Sequence, residues 1–187
     1  MSDARAILAS HVYYFDIGAG VWRGAFTFHI TSWRRLTQSR IGIKNQILAM
    51  AMHITQRSIG ASRLDSTIVP KPEEGAFGVA ENAVKISKLG VPLYVLRERY
   101  LLDGDGVRVT VDARERFGPL PYLLTRTFTY SAEIRDGGMG STYHMPLLGS
   151  RWTATYQVGP DRGTLEGELK CDWARATERA RLTGRAT

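Results

Sequence analysis

Cysteine occurs once in this chain, at Cys171, and that scarcity excludes an internal disulfide framework. A lone thiol suits a reducing compartment, so a cytoplasmic location is expected, with Cys171 itself a small buried residue. Histidine is sparse as well: His11, His29, His53 and His144 are dispersed and form no His-x-His or His-Glu-x-x-His spacing. No metal site and no cofactor are therefore expected. Long apolar runs are missing, which excludes a membrane-spanning helix. The opening "MSDARAILASHVYYFD" carries an early acid and lacks the apolar core of a secretory leader. Nucleophile elbows of the Gly-x-Ser-x-Gly type and phosphate-cradling glycine loops are absent too.

What is present is ordinary for a globular chain: 187 residues, 43% hydrophobic and 23% charged. That length suits one domain over residues 1–187, with a sizeable core. The net charge of +7 invites an anionic partner. Its arginines are scattered, however, with mild concentrations at Arg34–Arg35 and Arg175–Arg185, and no basic run interleaves with stacking aromatics. Such scatter reads as solvated surface, so no nucleic acid is expected as a partner.

Periodicity makes the chain mainly β. In "GVWRGAFTFHI", Trp22, Phe26, Phe28 and Ile30 fall on one face, and Arg23, Thr27 and His29 on the other. Similar alternation predicts strands at 93–102, 107–117, 125–134, 141–145, 152–158 and 165–171. Weaker ones are expected at 66–69 and 79–87. The turns "DGDG", "DGGMG" and "GPDRG" join several of these directly, which favours an antiparallel meander of eight or nine strands. Three helices are expected. One is N-terminal, around Ala4–Val12. One lies within Arg40–Ser58, with the stripe Ile43, Ile47, Met50, Ala51 and Ile54 facing the core. The last is C-terminal, from Asp172 to Leu182.

This order of parts resembles the lipocalin-like (calycin) barrels, and Gly20-Val21-Trp22 is similar to the Gly-x-Trp signature of that group. The resemblance implies a closed up-and-down barrel around an apolar small molecule, with Trp22 plugging one end and a late arginine, Arg175, packing over it. The helix inserted straight after strand one departs from that pattern. It leaves open a sheet that wraps the Arg40–Ser58 helix instead of closing on itself.

The strand phases also place polar groups among the inward residues. Arg126 and Tyr130 share the face of Phe128, Glu98 and Tyr100 that of Tyr94, and Glu115 that of Phe117. A charge enclosed in an apolar interior needs a partner or a ligand. One reading is a self-satisfied pair, Arg126 with Glu98 or Glu115. The other is a ligand site in which Arg126 grips an anionic group, with Tyr100, Tyr143, His144 and Tyr156 around it. Two functions follow. The first is binding of an apolar, anionic small molecule in a barrel cavity. The alternative is a cofactor-independent isomerase or cyclase acting on a hydrophobic metabolite, with Glu98 or Glu115 as general acid or base and Arg126 or Tyr130 steadying developing negative charge. Neither the ligand nor the oligomeric state is legible.

Overall fold

The computed structural model describes residues 19–71, 79–102, 108–118, 125–135, 140–145, 147–161 and 163–185. Among these are ten strands: β1 (Gly20–Ile30), β2 (Ser62–Pro70), β3 (Val79–Lys88), β4 (Val91–Leu102) and β5 (Arg108–Phe117), then β6 (Thr125–Arg135), β7 (Gly140–Met145), β8 (Trp152–Val158), β9 (Thr164–Lys170) and β10 (Ala174–Gly184). Every pairing is antiparallel, each strand beside the next in sequence. β1 pairs with both β2 and β10, so the sheet closes into a barrel. Two helices, α1 (Trp33–Gln38) and α2 (Ile43–Ile59), lie between β1 and β2. The sheet therefore closes on itself and does not wrap α2. The expected N-terminal helix falls outside the described residues.

The expected C-terminal helix is a strand. Ala174, Ala176, Glu178 and Ala180 are buried, while Arg175, Arg179 and Arg181 between them face solvent. That is a period of two, and pairing to β1 and β9 outweighed the helix-forming alanines and arginines. Trp173 belongs to the β9–β10 turn, where its Nε1 donates to Ser150 Oγ at 2.8 Å. Arg175 points outward and pairs with Glu168 at 2.6 Å, so it does not pack over Trp22. Much of the scattered basic charge has the same explanation: on β10 it occupies the outward phase.

The helix α2 is also turned relative to expectation. Ile43 and Ile54 are 66% and 59% exposed, and Ile47 is exposed as well. The face that packs down carries Ala49, His53 and Gln56. The reason lies in β1, which pairs with β2 only as far as Phe26. Beyond that point its Phe28 and Ile30 N–H groups would be buried without partners, at a cost of about 1–3 kcal/mol each. Gln56 Oε1 accepts from Phe28 N at 2.6 Å, and His53 Nδ1 accepts from Ile30 N at 3.1 Å. Polar side chains of α2 thus complete the strand.

At this helix end Phe28, Trp152 and Trp173 form an aromatic cluster with ring centroids 5.6–6.4 Å apart. Lys88 holds the far end of α2 by donating to the carbonyls of Ile59, Gly60 and Ala61 at 2.8, 2.8 and 2.6 Å. Orphan carbonyls at a helix C-terminus favour such a cation. Among the described residues no helix is long and apolar enough to cross a membrane.

Candidate functional site

Inside the barrel lies a cavity of about 110 Å³, room for about four waters at liquid density. Its walls are mainly apolar, with Trp22, Phe26 and Trp152 among them. Trp22, fully buried, is part of this wall and not a plug apart from it.

A polar group crosses the middle of the wall. Ser66 Oγ and Asn82 Oδ1 are 2.9 Å apart, on neighbouring strands. Asn82 Nδ2 donates to Glu98 Oε2 at 3.0 Å, the two residues being directly opposed on β3 and β4. Tyr100 donates its hydroxyl to the same oxygen at 2.7 Å, and Tyr130 donates to Oε1 at 2.6 Å. Three donors thus converge on one buried carboxyl. Burial pushes the Glu98 pKa up, and the hydrogen bonds from Tyr130, Tyr100 and Asn82 oppose that rise.

Glu178, on β10, faces the same cavity. Burial is the main cause raising its pKa to about 7, the charge of Glu98 adds to it, and a hydrogen bond from Tyr156 opposes it. Sequence reasoning missed Glu178 because it placed this segment on a helix. The alternation Ala174, Ala176, Glu178, Ala180 held the signal. Ser66 and Asn82 were missed because a small polar residue on an inward phase has no distinctive pattern.

Glu115 and Arg126 meet elsewhere, near the helix end. Glu115 is 1% exposed, and its Oε1 lies 3.8 Å from Arg126 Nε. Tyr94 OH lies 3.4 Å from Glu115 Oε2. Burial raises the Glu115 pKa to about 7, against the pull of Arg126 and Tyr94. Burial and the Glu115 charge push the Tyr94 pKa well up. The Arg126 side chain is 41% exposed and lines a separate mouth pocket with Lys44, Asn45, Glu115 and Phe117. Phe117 also borders the interior cavity, so it stands between the two.

The expected site residues therefore divide. Glu98, Tyr100, Tyr130 and Tyr156 line the cavity, whereas Glu115 and Arg126 line the mouth pocket. Tyr143 and His144 lie on β7, opposite Ala154 and Thr153 of β8, and their side chains fall outside the described residues. Cys171 is half-buried and in no disulfide. No group of three or more His, Cys, Asp or Glu among the described residues is placed to hold a metal ion. Comparison with protein-family models and with curated proteins finds no match for this chain.

Proposed function

We propose that this barrel binds an apolar small molecule in its interior, in the manner of the lipocalin-like barrels its sequence resembles. The observation that carries this reading is the interior cavity itself, walled by aromatic and aliphatic side chains with a few convergent polar groups. That combination suits a ligand site: apolar walls supply burial, and the polar groups fix orientation. The anionic ligand expected from the sequence rested on Arg126, which reaches the mouth pocket and leaves the interior without a lysine or arginine among its described lining residues. An anionic end would have to sit at that mouth, beside Arg126 and Lys44.

The test is displacement of an apolar fluorescent probe, together with native mass spectrometry of the purified chain. Saturable one-to-one probe binding, weakened by filling the cavity with Ala176→Phe, supports the proposal. A folded protein that takes up no apolar molecule overturns it.

A second reading, acid–base catalysis on a hydrophobic metabolite, draws on one observation. Glu115 and Glu178 both have pKa values raised to about 7, where a carboxyl can give or take a proton. Exchange of deuterium from heavy water into a bound ligand, lost in Glu115→Gln or Glu178→Gln, would support it.

A further inference from the structure

We infer that the ligand of the interior cavity is an organic ammonium ion on a compact hydrocarbon body, recognised by the carboxyl of Glu178 opposite that of Glu98 and by the surrounding aromatic rings. This rests on the reading of the cavity as a ligand site and names the class of molecule.

Three features of the cavity point the same way. Its charged lining is of one sign: among the described lining residues the acids are Glu98 and Glu178, and none is basic. Its polar aromatic lining is Tyr94, Tyr100, Tyr130 and Tyr156, and electron-rich ring faces attract a desolvated cation. The two carboxyls are unequally supplied. Glu98 takes hydrogen bonds from Asn82, Tyr100 and Tyr130, whereas Glu178 takes the Tyr156 hydroxyl. Glu178 thus keeps acceptor capacity for a further donor.

An anion in this space would meet two carboxyls with no cation beside it. A neutral apolar molecule would add no donor to Glu178 beyond the Tyr156 hydroxyl it takes among the described residues. An ammonium supplies up to three N–H donors and the charge that offsets a buried carboxylate. The groups that set the titration of Glu178 are Glu98 across the cavity, the Tyr156 hydroxyl and its own burial; the Tyr94 ring stands in the same electrostatic field. Below about pH 7 Glu178 carries its proton, and it releases that proton to solvent as the ammonium enters. The cation is taken up charged, one proton leaves, and the pair formed inside is neutral.

The probes are cyclohexylmethylammonium and its near-isostere cyclohexylmethanol, titrated calorimetrically into the full chain at pH 8 and pH 5.5. At pH 8 the ammonium should bind at least tenfold more tightly than the alcohol. That ratio should fall several-fold at pH 5.5, and Glu178→Gln should reduce it at least tenfold at pH 8. Repeating the titration in buffers of different ionisation enthalpy should count about one proton released near pH 6 and about half a proton at pH 7. Equal or weaker binding of the ammonium at pH 8, with the alcohol bound, overturns the cation assignment and leaves the cavity reading standing. Binding of neither probe by the folded chain removes both.

Discussion

The ring of Tyr156 on β8 crosses Gly167 on β9 to reach the carboxyl of Glu178 on β10. Gly167 is directly opposite Tyr156 on one side and Glu178 on the other. A Cβ at residue 167 would stand 2.5 Å from Tyr156 Cε1 and 3.3 Å from Glu178 Cβ. The glycine is required by this close approach, not by its backbone angles. Gly167→Ala should therefore displace the ring and cost about 1–3 kcal/mol, the range for overpacking a filled site. Urea unfolding measures the loss. An alanine variant as stable as the parent would mean that Tyr156 does not lie across the strand.

The buried carboxyl makes stability depend on pH in a direction fixed by its shift. Glu178 titrates near 4.5 when unfolded and at about 7 when folded, so between those values the native state holds more protons. Stability from this group is fully present below about pH 4.5 and is lost as pH rises through about 7. At about 1.4 kcal/mol per pH unit the full effect is about 3 kcal/mol. Glu178→Gln should thus be more stable than the parent by up to about 3 kcal/mol at pH 8, and equal to it near pH 4.5. Chemical denaturation of both proteins at the two pH values checks this; a variant destabilised at pH 8 contradicts it.

His53 acts with the opposite sign. Burial, with the charges of His29 and Arg57, lowers its pKa, and its Nδ1 must be unprotonated to accept from Ile30 N. The stability it contributes is present above about pH 6.5 and falls as pH drops below that value. His53→Gln, which can still offer an acceptor, should remove this acid sensitivity. Amide exchange at Ile30 reports it directly: protection should fall on acidification in the parent and hold steady in the variant.

The neighbouring cap can be tested by charge-free deletion. Gln56→Leu leaves the buried Phe28 N–H without its acceptor and should cost about 1–3 kcal/mol. Gln56→Glu, which retains an oxygen at that place, should restore protection of the Phe28 amide. If both substitutions are equally harmless, α2 does not complete the strand.

Two tryptophans of the opening segment should differ sharply. Trp22→Ala removes a fully buried ring from the cavity wall and should cost about 3–5 kcal/mol. Trp33 is 46% exposed on α1, and Trp33→Ala should cost much less. Thermal melts of the two variants give the comparison, and a reversed order would overturn the inward phase assigned to β1.

A last prediction concerns the β3–β4 turn, where Leu89 and Gly90 both have positive φ. Leu89 is 83% exposed, so nothing in the packing favours its strained backbone. Asparagine tolerates this conformation in two-residue hairpin turns. Leu89→Asn should raise stability by about 1 kcal/mol, the scale of the left-handed penalty for an ordinary side chain. An unchanged or lower melting temperature would count against it.

By itself the sequence determined most of the strands and their phases, β10 excepted. Trp22, Phe26 and Phe28 alternate with polar residues, Glu98 shares a phase with Tyr94 and Tyr100, and Glu115 with Phe117, because side chains in a strand alternate with a period of two whatever lies across from them. Turn residues at 159–163 likewise set the β8–β9 hairpin, where the Asp161 carboxylate accepts from the Gly163 and Thr164 amides. Tertiary structure decided what those local patterns leave open. Residues 174–184 suit either a helix or a strand by composition, and only the exposed edges of β1 and β9 made them a strand and brought Glu178 inside. The isoleucines of α2 mark a helix face, but the unpaired amides of β1 drew His53 and Gln56 inward and turned that face to solvent. Arg126 has the inward phase, yet its place at the end of β6 puts it beside Glu115 at the mouth. Phase tells which way a side chain points. Distance along the barrel, set by pairing registers among ten strands, tells what it meets.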